Sequence, residues 1–267
     1  MAMVSETPAI SILMTLHNRE RFVEAAVRSV LTQTRGDLEL IIVDDGSTDG
    51  SLAIARRLGA ADGRVRVVER EHSGAMRTLA AAHALARGEL IGWVDSDDLL
   101  VNTAVEETAG LLEADPALGM VYTDHLVIDA QGKPKGMGHR CRIPYSPLRL
   151  LTDFMTFHFR LFRRWAFDLA GGIDTSMSTS ADYDLCLRMS EVTQIRHLQR
   201  VLYCYREHAD SISVSRRIEQ IQNSAAAVER AIVRRGMAAT HVLEVDVEPT
   251  FRLVRRDAPA GHAGAGA

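Results

Sequence analysis

The sequence predicts an α/β protein, a mostly parallel sheet flanked by helices, with a smaller second half built on different lines. Three observations carry that expectation. Short apolar runs alternate with amphipathic stretches of ten or more residues in the first part of the chain; two acidic clusters follow directly on apolar runs; and the alternation becomes irregular beyond about position 123.

Residues 9–15, rich in Ile and Leu and bounded by Pro8 and the polar His17-Asn18-Arg19, read as a buried strand ending in a loop. Residues 20–33 then carry Phe22, Val23, Ala26, Val27, Val30 and Leu31 at helical spacing. Further strands are expected over 38–43, 65–68 and 90–94, with helices over 49–58 and 75–86 between them. A parallel sheet binds its ligands beyond the carboxyl ends of its strands. Asp44-Asp45 and Asp95-Ser96-Asp97-Asp98 both stand at such ends, so chain order alone places them on one rim.

Beyond position 98 a helix is expected over 101–113 and a strand over 120–123. Residues 131–145, with Gly132, Pro134, Gly136, Gly138 and Pro144, read as a turn-rich, mobile loop. Short helices follow near 148–151 and 164–170, then a helix over 182–190, a strand over 201–205 and a helix over 217–234. The tail from Arg255 is low in complexity and is expected to be disordered.

The 267 residues, 46% of them hydrophobic, suffice for a sizeable core. A formal charge of −4 gives no basic field for nucleic acid. Cys141, Cys186 and Cys204 are odd in number and form no CxxC pair, so neither a zinc site nor a disulfide framework is indicated and a reducing cytoplasm fits. No signal-peptide pattern and no membrane-spanning run is present, so membrane association, if any, is expected to be peripheral, on the inner face. Arg216, Arg217, Arg230, Arg234 and Arg235 around the 217–234 helix read as a solvated face, with contact to an anionic membrane the rival reading.

Five carboxylates on one rim repel one another unless a cation neutralises them, and hard oxygen ligands suit Mg²⁺ or Mn²⁺. A metal carrying a polyphosphate is the natural neutraliser. The plainer reading of Asp44-Asp45-Gly46-Ser47-Thr48-Asp49 is a turn with a helix cap. It suits Asp95-Ser96-Asp97-Asp98 less well, because three carboxylates directly after a buried strand are costly without a counter-ion. Calcium is disfavoured, since Arg56 stands where an EF-hand loop needs its bidentate Glu. No P-loop and no GxGxxG after the first strand is present, and a receiver-like fold would be complete in half this length.

Ile10-Ser11-Ile12-Leu13-Met14-Thr15 with His17-Asn18-Arg19, Ser29-Val30-Leu31-Thr32-Gln33-Thr34 and Asp44-Asp45-Gly46-Ser47-Thr48-Asp49 together resemble the N-terminal signature of the family 2 glycosyltransferases. Gly88-Glu89-Leu90-Ile91 running into Asp95-Ser96-Asp97-Asp98 resembles that family's DxD motif. Gly171-Gly172-Ile173-Asp174, Asp182-Tyr183-Asp184-Leu185-Cys186-Leu187-Arg188 and Tyr205-Arg206-Glu207-His208 with Ser211-Ile212-Ser213 are similar to its acceptor-side segments. The likeness covers residues 9–215.

The resemblance implies a GT-A fold, a Rossmann-like sheet with an acceptor-side half, and inverting transfer from a nucleoside diphosphate sugar to a hydroxyl acceptor. It implies that Thr15, His17 and Asp45 hold the base and ribose, a carboxylate being able to accept the N3–H of uracil or thymine. It further implies Asp95 and Asp97 as the DxD pair, with Asp97 or Asp98 on the metal bridging the phosphates. Asp182 matches the general base. Arg206 and His208 would close over the diphosphate, His208 as a further metal ligand. The chain departs from the family pattern at Ala181, where Glu is common, at Leu79 and Ala80, where an Arg-Asn pair is common, and at His17, where an aromatic is frequent.

The expected organisation is an extension over 1–8, a nucleotide-sugar half over 9–123, an acceptor half over 124–215, a C-terminal helix and extension over 216–254, and a tail over 255–267. Two other readings stand beside transfer. A sugar nucleotidyltransferase would carry a Gly-rich basic loop after the first strand, where Leu16-His17-Asn18-Arg19-Glu20 has no glycine. A non-catalytic sugar-nucleotide binder would be expected to have lost Asp97 or Asp182.

Overall fold

The structure, a computed structural model, describes residues 8–208 and 216–246. The chain runs β1 (Ile10–Leu16), α1 (Val23–Leu31), β2 (Leu38–Asp45), α2 (Ser51–Ala61), β3 (Val65–Arg70), α3 (Ala75–Leu85), β4 (Leu90–Trp93), β5 (Leu99–Leu100), α4 (Ala104–Ala114), β6 (Leu118–Ile128) and β7 (Pro134–Met137). Two 3₁₀ turns follow, His139–Arg142 and Arg149–Leu151, then β8 (Arg160–Arg163), α5 (Arg164–Leu169), α6 (Ala181–Val192), β9 (Gln194–Arg206) and α7 (Arg217–Arg234).

Among the described residues these strands form one sheet in the order β3-β2-β1-β4-β8-β6-β9-β5, with β7 on β6. The two halves expected from the sequence therefore share a sheet. β1, β2, β3 and β4 run parallel, as the helical crossovers require, and β6 and β9 are parallel too; β8 enters antiparallel between β4 and β6. Alternate side chains of β1 serve opposite faces: Ile10, Ile12, Met14 and Leu16 pack with α1 and α4, while Leu13 joins the layer under α3, α5, α6 and α7.

The expected strands and helices are present, most of them longer or shifted by a few residues. Three strands were not expected. β5 has only two residues, β8 carries arginine at both ends, and β7 lies within the Gly- and Pro-rich stretch over 131–145, so that stretch is in part an ordered strand and 3₁₀ turn rather than a loop throughout. Around α7, Arg216 pairs with Glu219, Arg230 with Asp174, and Arg234 and Arg235 share Glu191. The tail from Arg255 and Ser211-Ile212-Ser213 lie outside the described residues. Among the described residues no helix is long and apolar enough to cross a membrane.

Candidate active site at the carboxyl rim

Because β1, β2 and β4 are parallel and in register, Thr15, Asp45 and the residues after Trp93 come together at one edge. Asp45 is buried, and four donors converge on its two oxygens. Ser73 donates its N–H (2.7 Å) and hydroxyl (3.2 Å) to Oδ1; the Gly74 N–H (3.0 Å) and the exposed His72 imidazole (3.0 Å) reach Oδ2. Burial works to raise this carboxyl's pKa, but the donors outweigh it and hold the group below the ordinary value. A carboxylate has about four lone-pair positions. A nucleobase N–H therefore reaches Asp45 only if one of these donors yields, and the solvent-exposed His72 ring is the one free to move.

His17 stands beside them. Its Nδ1 lies 2.9 Å from the Asp45 carbonyl, and its ring centroid is 4.6 Å from that of His72. Ligand atoms of His17, Asp45 and His72 lie within 4.8 Å of one another, close enough to take up a metal ion. The next residue, Asn18, has φ 51° and uses its side-chain oxygen to accept the Thr48 N–H at 2.8 Å, which fastens the β1–α1 turn to the loop after β2.

The three rim aspartates after β4 have three different environments. Asp98 is 1% exposed; its Oδ1 accepts the Arg206 N–H and its Oδ2 the Tyr203 hydroxyl, each at 2.7 Å. Burial, then the neighbouring Asp97 and Asp95 carboxylates, push its pKa well up. Asp97 points the other way, with Oδ2 2.9 Å from Arg19 Nε and 3.0 Å from His208 Nε2. There burial is outweighed by His208 and Arg19, and the carboxyl is held low and charged. Asp95 has an open side chain 3.5 Å from His158 Nε2. Its pKa is raised to about 7 by desolvation in the cleft and by Asp97, with Asp182 adding to the effect and Arg160 opposing it.

A short strand explains this division. β5 pairs antiparallel with Tyr203 and Cys204, which zips the residues after the aspartates onto β9 and brings its end, through His208, up to Asp97. The Arg206 guanidinium is turned back instead. It donates to the Asp97, Asp129 and Ala130 carbonyls and lies over Phe22, so it fastens the rim rather than facing a diphosphate, as the sequence reading had it.

Across the cleft, Asp182 stands in the first turn of α6, one residue into the helix after Ser180, which has φ 61°. Its Oδ2 accepts from Arg160 Nη2 at 3.1 Å. Arg160 is 2% exposed and lies over the Trp93 and Phe154 rings, so it fixes the carboxylate from below. Asp184 is turned away, buried against Arg188 at 2.7 Å.

Of the expected metal ligands, Asp97 and His208 are therefore together and Asp98 is not with them. A carboxylate oxygen and an imidazole nitrogen at 3.0 Å on an acidic rim are donors that suit Mn²⁺ or Mg²⁺. A cavity of about 110 Å³ beside them is lined by Asn18, Arg19, Phe22, Asp49 and His208 among others. The larger groove, about 390 Å³, lies between the Arg149–Leu151 turn and the end of α7 and touches none of the rim residues. The sequence reading missed Arg19, Arg160, His158 and Tyr203. Arg160 left a legible signal: a charge flanking an apolar run that the core buries needs a partner.

Residues 11–178 match the family described as Glycosyl transferase family 2. The chain is similar to the chondroitin synthase of Escherichia coli, 34% identical over 236 residues that make up 88% of this chain and 34% of that protein. It is 31% identical over 243 residues to the hyaluronan synthase of Pasteurella multocida, 91% of this chain and 25% of the other. The chain thus spans about a third or less of the length of these curated relatives. Among solved structures it resembles S. aureus TarS 1-349 in complex with UDP, with a TM-score of 0.62 at 17% identity over 88% of this chain and 75% of that one. It also resembles the mannosyltransferase PcManGT from Pyrobaculum calidifontis in complex with GDP-Man and Mn²⁺, at a TM-score of 0.62 and 18% identity over 90% and 77%. These neighbours establish the fold as GT-A.

Proposed function

As the chain belongs to glycosyl transferase family 2, we propose that it transfers a sugar, with inversion, from a nucleoside diphosphate to a hydroxyl of a growing polysaccharide or other glycoconjugate. The observation that carries this reading is the pairing of Asp97 with His208 on one side of the rim and of Asp182 with Arg160 on the other, with Asp95 between them and feeling both sides. The named relatives are polysaccharide synthases, and TarS is a UDP-bound neighbour. A UDP- or dTDP-sugar is the proposed donor.

The donor's base and ribose fall to Thr15, His17 and Asp45, with His72 giving up its place on Asp45 to the base N–H. Asp97 and His208 would hold Mn²⁺ or Mg²⁺, which supplies positive charge against the departing diphosphate. Arg19 adds a second positive charge beside them. Asp182 takes the acceptor hydroxyl's proton as that oxygen bonds to C1 from the face opposite the diphosphate, which leaves with the C1–O electron pair. Arg160 keeps Asp182 in one rotamer, so that positioning contributes as well as basicity. Residues 9–123 supply the donor half and 124–215 the acceptor half, and the work is assigned to the cytoplasm, at the inner face of the membrane if at one.

The test is thermal stabilisation by UDP with Mn²⁺ and with chelator, followed by a transfer assay. A ligand at about 100 times its Kd raises stability by about 2.7 kcal/mol, so UDP with Mn²⁺ should give a clear shift that chelator and Asp97→Ala both abolish. Undiminished UDP binding in chelator would remove the metal from this reading. Formation of a nucleotide sugar and pyrophosphate from sugar 1-phosphate and UTP would make the protein a nucleotidyltransferase instead.

A further inference from the structure

Most arginines around the rim are tied to the protein: Arg19 to Asp97, Arg160 to Asp182, Arg188 to Asp184, and Arg206 to three carbonyls. Arg140, on the acceptor side, is held in another way. It lies on the 3₁₀ turn after β7, which Gly138 anchors by donating its N–H to the His125 carbonyl at 3.0 Å. Its guanidinium makes no hydrogen bond or ion pair among the described residues. It rests instead on two aromatic faces, with Cζ 4.6 Å from the Phe157 centroid and 5.3 Å from that of Phe154.

Those two rings lead straight into the site. Phe154 also lies under Arg160, 5.6 Å from its Cζ, and Arg160 holds Asp182. Phe157 contacts the His158 ring at 4.5 Å, and His158 reaches Asp95. Burial disfavours the charged form of Arg140 and the Asp182 carboxylate works against that, yet Asp182 is already bonded to Arg160. Asp182 is thus engaged by Arg160, and Arg140 has no ion pair among the described residues.

We propose that Arg140 holds a carboxylate of the acceptor, so that the sugar presented to Asp182 is, or adjoins, a uronic acid. The proposal rests on the transfer reading above, with Asp182 as base. A guanidinium stacked on rings keeps its N–H edge free and in a fixed plane, and that edge matches a carboxylate in bidentate fashion. The exposed parts of Phe154 and Phe157 offer an apolar floor to the C–H face of a sugar. A diphosphate is the poorer occupant, since Asp97, His208 and Arg19 gather on the other side of Asp95.

The experiment compares a disaccharide ending in glucuronate with its carboxyl-reduced glucose counterpart, in wild type, Arg140→Gln and Arg140→Lys. Binding is titrated directly without donor, and KM and kcat are measured with a neutral UDP-sugar. Wild type should prefer the glucuronate form by about ten- to a hundredfold in Kd and KM, as a charge-assisted bond implies. Arg140→Gln should erase the preference and leave kcat, the glucose acceptor and UDP affinity within a factor of about two, while Arg140→Lys recovers part of the preference. Equal wild-type affinity for the two acceptors would overturn the proposal. So would an Arg140→Gln defect that is the same for both acceptors, or one that appears in UDP or UDP-glucuronate binding. If wild type binds glucuronate preferentially but transfers nothing to either acceptor, the transfer reading fails and the carboxylate subsite stands.

Discussion

Adjacent aspartates in the turn between β4 and β5 take up different work because their side chains point in different directions. Asp98 is satisfied by Tyr203 and the Arg206 N–H and serves to lock β9 to the rim, while Asp97 faces Arg19 and His208. Asp182 shows the same economy of position: Arg160 occupies one oxygen, and the proposed base would use the other. Asp182→Asn keeps the size and the first-turn position while removing the base. It should lower sugar transfer by about 10² to 10⁴ with UDP affinity and melting temperature nearly unchanged. Near-wild-type turnover in that variant, measured with a working acceptor, would take the general-base role away from Asp182.

At the scale of elements, a buried polar link closes the opposite end of the sheet from the candidate site. Ser11 on β1 and Glu39 on β2 are register partners inside otherwise apolar strands; the Ser11 hydroxyl donates to Glu39 at 2.8 Å, and Arg87 adds its N–H at 2.8 Å and its Nε at 3.0 Å. Gly88 then donates its N–H to Ser11 Oγ, and a Cβ there would stand 2.7 Å from the Ile10 carbonyl carbon, so only glycine allows β4 to start so close to β1. Burial favours the neutral form of Glu39, but the donors prevail and its folded pKa lies below the ordinary 4.5. Its stabilising contribution is therefore complete above about pH 4.5 and is lost as pH falls through the folded value. Glu39→Gln should cost about 1–3 kcal/mol at pH 7, measured by denaturant unfolding, and the deficit should shrink as the pH is taken below about 4. A deficit that stayed constant with pH would assign it to packing instead of charge.

The stability of the whole molecule sums such titrations over both halves. His83, stacked on Phe167 at 3.8 Å, and His125, beneath Gly138, are both lowered from 6.5 to about 4, chiefly by burial, with Arg164 and Arg140 respectively assisting. The folded protein keeps both rings neutral where the unfolded chain takes up protons. Each histidine therefore costs no stability above pH 6.5, and a growing amount as pH falls from 6.5 towards 4. Replacing both with leucine removes that loss. The difference in melting temperature between variant and wild type should move in the variant's favour between pH 6.5 and 4 and level off below; a difference that is flat across the range would show that the rings are not held neutral.

The sequence by itself determined the alternation of strands and helices in the first half, the placing of both acidic clusters at strand carboxyl ends, and the family, because periodicity and covalent adjacency are properties of neighbouring residues. It left β5, β7 and β8 hidden, since a two-residue strand, a Gly- and Pro-containing edge strand and an arginine-flanked strand take their pairing from partners far along the chain. Tertiary structure alone decided how each carboxylate is used. Asp45 meets its four donors across the β3–α3 loop, Asp97 and Asp98 are separated by the way β9 zips onto β5, Asp182 finds Arg160, and Arg140 is set on two rings with no ion pair among the described residues. The physical reason is common to them all. Whether a carboxylate or a guanidinium is spent on the fold or kept for a ligand depends on which opposite charges and donors the packed chain brings within about 3 Å, and those come from residues that no local pattern links to it.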